Sequence, residues 1–234
     1  MISESSASSN NSILVWLRKD LRLRDHPAFH AAILEGKPIL PVYIWDPEEG
    51  GQWSPGAASR WWLHHALHSL SKDIRKLGGA LILKKGKAAE VLPSLAKEHN
   101  INKIFYSRAY DPPGIATQEA VENALDPAGI DSESFNASLL QEPWETKNGT
   151  GKPFQVFTPY WRKSREVIYR EPAKYPLSKL SFVSPKECPS PVQDLGLLPH
   201  HSWHQKLEDH WNVSEDAAHV QLDRTVNEVT KSYA

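Results

Sequence analysis

The chain has 234 residues, with 27 Lys and Arg against 28 Asp and Glu, a net charge of −1. That balance excludes a globally basic nucleic-acid coat, though not a local basic patch. No apolar run approaches the roughly 18 residues of a membrane span, and the single cysteine, Cys188, excludes an internal disulfide scaffold and a Cys-rich zinc site.

Residues 1–11 are polar and aperiodic, with no apolar core of a secretory signal, and read as a disordered tail. Ile13 to Leu17 is an apolar run that predicts a buried strand, followed by a helical pattern over residues 27–35. Residues 39–44 give a second strand. Residues 59–77 give the clearest helix, with Ser59 as N-cap and Trp62, Leu63, Ala66, Leu67, Leu70, Ile74 and Leu77 as its apolar stripe. Gly78 and Gly79 end it. Residues 81–84 and 103–107 predict strands, residues 88–98 and 117–125 helices, and a short strand falls near residues 132–136. Strand and helix alternating in this way predict a doubly wound, Rossmann-like parallel sheet of about five strands, whose ligands bind at the strand carboxyl ends.

Beyond residue 140 the texture changes. Residues 158–169 carry a helical pattern. Six prolines between Arg170 and Gln205 describe an extended connector lying over a surface, outside the core. Residues 214–234 read as a helix with Ser214 as N-cap.

Lys85-Gly-Lys87 sits at a strand-to-helix turn but lacks the spacing of a phosphate loop. The first strand is not followed by G-x-G-x-x-G, and there is no G-x-S-x-G elbow. His200, His201, His204 and His210 cluster loosely without the geometry a metal needs. Arg18, Lys19, Arg22 and Arg24 are interleaved with Asp20 and Asp25. The charge pattern favours an ionic loop paired within itself over a phosphate-contacting rim.

Four segments, taken in order, resemble the DNA photolyase and cryptochrome family. They are residues 15–28 (VWLRKDLRLRDHPA), 43–47 (YIWDP), 56–63 (GAASRWWL) and 151–162 (GKPFQVFTPYWR), the last being the most specific. The resemblance implies an α/β antenna domain over residues 12–142, an interdomain connector over 143–205, and the start of an all-α FAD-binding domain over 206–234. It implies light-driven splitting of cyclobutane pyrimidine dimers by electron transfer from reduced FAD, a reaction on damaged bases that leave the duplex stack. A cryptochrome photoreceptor and a stand-alone pigment-binding or interaction module are the alternatives.

The family's phosphate-gripping segment, its electron-transfer tryptophans and its dimer pocket have no counterpart in these residues. The resemblance therefore places no catalytic residue here, and one FAD contact, Tyr233. It places Ile44, Trp45, Asp46 and Arg60 around an antenna hollow of the deazaflavin type. Asp111 to Gly114 stands where folate-binding relatives carry an Asn-Glu pair, which leaves the antenna unresolved between deazaflavin and folate. The chain alone is expected to be inactive. The full-length family form implies a cytoplasmic monomer that meets UV-damaged DNA through the missing domain.

Overall fold

The computed structural model describes residues 12–166, 171–186, 188–199 and 201–233. The tail predicted over residues 1–11, the last residues of the helix predicted over 158–169, and His200 lie outside the described residues. Among the described residues, no helix is long and apolar enough to cross a membrane.

Five strands form one parallel sheet: β1 (Ile13–Leu17), β2 (Ile39–Trp45), β3 (Ile82–Lys85), β4 (Lys103–Ser107) and β5 (Asp131–Phe135). Their spatial order is β3-β2-β1-β4-β5, with Val15 level with Pro41 on one side and Phe105 on the other. The central strands are buried from end to end, because helices cover both faces. Successive side chains point to opposite faces. Ile13, Val15 and Leu17 therefore pack with Phe29 of helix α1 (Pro27–Leu34) and with Leu67, Leu70 and Ile74 of α2 (Ala57–Lys76). Leu14 and Trp16 pack on the other face with Leu92 and Leu95 of α3 (Ala88–Glu98) and with Val121 and Leu125 of α4 (Pro112–Leu125). The edge strand β5 reads Asp-Ser-Glu-Ser-Phe and is exposed over its first three residues, a polar edge that discourages further strand pairing.

Two helices begin earlier than their sequence signals. α2 starts at Ala57 with Gly56 as its N-cap. It buries Trp61 and His64 and leaves Trp62 43% exposed, which corrects the apolar stripe expected to run through Trp62. α4 starts at Pro112 because Asp111 caps it, accepting the Gly114 amide at 3.3 Å, and because proline suits the first helical turn.

The Pro-rich segment corrects the expectation of a connector outside the core. Leu180, Val192, Leu195 and Leu197 are buried in the same cluster as β1 and α2. Pairing of β2 with β3 begins only at Val42 and Ile82, so the outer edge of Ile39 is free. Residues 181–183 fill it: Ile39 donates to the Ser181 carbonyl at 2.8 Å, and Val183 donates to the Ile39 carbonyl at 2.9 Å. The Phe182 ring occupies the space that a side chain on Gly79 would need.

Three further helices follow the sheet: α5 (Phe157–Ser164), α6 (Gln205–Glu208) and α7 (Glu215–Arg224). The Ser214 hydroxyl caps α7 by accepting the Ala217 amide at 3.1 Å, as its sequence predicts. A wider π-helical turn over Thr225–Val229 and a tighter turn over Thr230–Tyr233 extend it.

Candidate chromophore site at the strand carboxyl ends

In a doubly wound sheet the loops diverge where the strand order reverses, here between β1 and β4. Asp20, which is 5% exposed, ties this point together. Its carboxylate accepts the Arg18 amide at 2.8 Å and the Ser107 hydroxyl, and lies 2.8 Å from Nε2 of the fully buried His26. The His26 Nδ1 in turn accepts the Phe29 amide at the start of α1. Burial pushes the Asp20 carboxyl up. His26, Ser107 and the Arg18 amide outweigh it and hold the group well below the usual carboxylate range.

The basic residues of this loop are not paired mainly within it. Arg18 donates to the Gly114 carbonyl at 3.0 Å and meets Glu49 at 3.4 Å. Lys19 pairs with Asp111 at 2.7 Å, and Arg24 with Asp216 at 2.8 Å. Only Arg22 turns back, to the Asp25 carbonyl, and it also reaches the Ala137 carbonyl. The expected self-paired loop is therefore corrected to a set of ties between neighbouring loops, because parallel strands bring their following loops side by side. Glu215 completes the set. Its two carboxylate oxygens accept the Leu23 and Arg24 amides at 2.8 Å each, docking the start of α7 on this end of the sheet.

The result is a hollow of about 680 Å³ over the ends of β1 and β2, within the range of small-molecule sites. Tyr43, Ile44 and Trp45 form its floor, Trp62 and Leu63 of α2 one wall, and Ala218 and Leu222 of α7 another. Trp53, 80% exposed, stands at its rim. Burial, and then the charge of Glu49, push the Tyr43 phenol well above its usual range, so the hydroxyl stays neutral. Arg18 is the distinctive polar group. Its side chain is 10% exposed, its guanidinium stacks 4.5 Å from the Trp16 ring centroid, and its Nη1 is buried without a hydrogen-bond partner among the described residues. Arg18 also lines the hollow, and a guanidinium at the edge of an aromatic hollow suits a planar ligand carrying a carbonyl or anionic oxygen.

Ile44, Trp45 and Asp46, expected from the family resemblance, all line this hollow. Arg60 does not. Its guanidinium donates to the Pro55 carbonyl at 3.1 Å, and Pro55 is what lines the hollow, so Arg60 braces the wall from behind. Asp46 spends one oxygen on the Glu48 amide at 2.9 Å. The backbone of Tyr233 ends the last turn, and its side chain lies outside the described residues. The sequence did not place Arg18 or α7 at this hollow. The signal for the first was a basic residue directly after a buried strand. The second arises from tertiary packing alone.

Fold and site together define a doubly wound α/β domain with an aromatic hollow at its strand carboxyl ends. The DNA photolyase family model matches residues 13–177, and the chain belongs to that family. It is 36% identical over 224 residues to a deoxyribodipyrimidine photo-lyase of Agrobacterium fabrum, covering 94% of this chain and 46% of the relative. It is 37% identical over 168 residues to cryptochrome-1 of Arabidopsis thaliana, covering 71% of this chain and 24% of the relative. The crystal structure of a class III photolyase from Agrobacterium tumefaciens superposes with a TM-score of 0.82 at 35% identity, over 96% of this chain and 46% of the other. The chain thus spans less than half the length of these relatives.

Proposed function

We propose that this chain is the antenna-bearing α/β part of a deoxyribodipyrimidine photo-lyase, a carbon–carbon lyase that uses reduced FAD and light to split cyclobutane pyrimidine dimers in UV-damaged DNA. The observation that carries the antenna assignment is the hollow over the strand carboxyl ends, lined by Tyr43, Trp45, Trp62 and Arg18. When bound, an antenna supplies light absorption and passes the excitation on. The chain's own work is positioning. Trp45, Trp62 and Arg18 would hold a planar chromophore, the neutral Tyr43 hydroxyl would add no charge, and α7, docked through Glu215, would wall one side. Asp111 lines the same hollow and is committed to Lys19 and the α4 cap, so the β4–α4 loop is a wall of this hollow and not a separate site.

The resemblance gives this chain one FAD contact, Tyr233, and one contact cannot hold a dinucleotide, so in this reading FAD, the lesion and the DNA belong to the length of the relatives that the chain does not span. The working form in this reading is a cytoplasmic monomer. A cryptochrome photoreceptor is the second reading, favoured by the 37% identity to the Arabidopsis protein.

The purified 234-residue chain is expected to carry no FAD and to split no dimers; flavin absorbance at a near-unit ratio contradicts this. Joined to the uncovered half of the Agrobacterium photolyase, it is expected to bind FAD and repair dimers in light. FAD binding without repair in that chimera favours the cryptochrome.

A further inference from the structure

Helix α2 presents a second cluster, unrelated in chemistry to the aromatic hollow. His64, His65 and His68 lie close together on it, with the His64 and His65 ring centroids 5.2 Å apart. Segment 202–211 packs against them. Glu208 of α6 lies 3.7 Å from His65 Nε2 and 3.9 Å from His204 Nδ1. The Trp62 and Trp211 rings meet edge-on at 5.4 Å, and Trp61 lies 4.6 Å from His65. His64 Nδ1, His65 Nε2 and His204 Nδ1 are buried with no hydrogen-bond partner among the described residues. Ring packing rather than hydrogen bonding therefore holds this junction.

The charges around it are unbalanced once the imidazoles protonate. Among the described residues, Glu208 is the one carboxylate at the cluster without a stronger partner. Asp73 is tied to Lys76 at 2.7 Å and Asp216 to Arg24 at 2.8 Å. Lys72 also borders the cavity at this junction and adds a positive charge. His64, His65, His68 and His204 are thus four titratable rings facing a single available anion.

We propose that this junction is a pH-sensitive latch, in which neutral imidazoles hold segment 202–211 against α2 and acidification releases it. Burial, and then the neighbouring histidines, push His64 below the ordinary imidazole value; burial does the same to His65, although Glu208 pulls the other way. Groups that protonate less readily when docked than when free couple docking to deprotonation. The latch is fully closed above the ordinary histidine value of roughly 6.5. It loses strength as pH falls through that value, and the loss levels off once the docked rings are themselves protonated. Val213 and Ser214 border both this cavity and the aromatic hollow, so release loosens the hollow's wall. The latch does not depend on what the hollow binds.

Amide hydrogen exchange of segment 202–213, corrected for the intrinsic effect of pH, tests this. Between about pH 7.5 and about pH 5.5 the protection of this segment is expected to fall roughly ten-fold or more, while that of β1 and β4 holds. In the double variant H64Q/H65Q the fall shrinks to about three-fold or less. E208Q removes the anion that favours the protonated docked state. It is expected to keep parental protection at the higher pH and to fall further at the lower one, and it keeps the test decisive where the double variant fails to fold. Protection that ignores pH, an undiminished fall in the double variant, or a smaller fall in E208Q overturns the latch.

Discussion

Replacing Asp20 with alanine is expected to lower the unfolding free energy by about 3–5 kcal/mol, the usual loss when one partner of a buried charged group is removed. Asp20 is 5% exposed and His26 is fully buried. The substitution strands the His26 imidazole, the Ser107 hydroxyl and the Arg18 amide together, which ties β1, β4 and α1 into one loss. Denaturant unfolding near neutral pH measures it, and a loss under about 1 kcal/mol contradicts the argument. The pH dependence has a definite sign. The folded state holds the Asp20 carboxyl well below the ordinary range, so its contribution is complete above the unfolded value of about 4 and is withdrawn as pH falls below it. The D20N variant is expected to lack that share of acid sensitivity.

The second large effect separates two adjacent tryptophans. Trp61 is 2% exposed and Trp62 is 43% exposed. W61A empties a buried site at the junction of α2 with segment 202–211 and is expected to cost about 3–5 kcal/mol, whereas W62A costs about 1 kcal/mol. Thermal and denaturant unfolding of the two variants compare them directly. Equal losses contradict the burial of Trp61 in that junction and the placement of Trp62 in the hollow wall.

That pair also shows what the sequence concealed. The strands were legible because buried parallel strands are continuous apolar runs, and β1 and β4 fall where their residues predict. The helical stripe of α2 was legible from Leu63 to Leu77, all but Ala66 packing in or against the core, and missed only the first turn. There Trp62 lines the hollow while Trp61 and the polar His64 are buried. Periodicity cannot tell an apolar cavity wall from a core face. The Pro-rich segment misled for another reason. Its composition is that of a connector, yet Leu180, Val192, Leu195 and Leu197 are spaced to drop one by one into the gap beside β2 and α2. The start of α4 was legible in principle, since Asp111-Pro112 is a cap followed by a first-turn proline.

Of the site, Ile44, Trp45 and Asp46 were reachable through the family resemblance and lie together on the hollow's floor and edge. Arg60 braces Pro55 instead of facing the hollow. The Arg18 donor and the α7 wall depend on contacts across nearly 100 and 200 residues of chain, between Arg18 and Gly114 and between Leu23 and Glu215. No local pattern encodes those.

The most direct test of this account is titration of the chain with a deazaflavin and, separately, with a methenyl-folate, read by tryptophan quenching and chromophore fluorescence polarisation. Saturation of one site by one of the two is expected, weakened about ten-fold or more in R18Q and in W62A, a loss of at least about 1.4 kcal/mol. Absence of binding by both chromophores, or binding that ignores both substitutions, contradicts the claim that this hollow is the chromophore site.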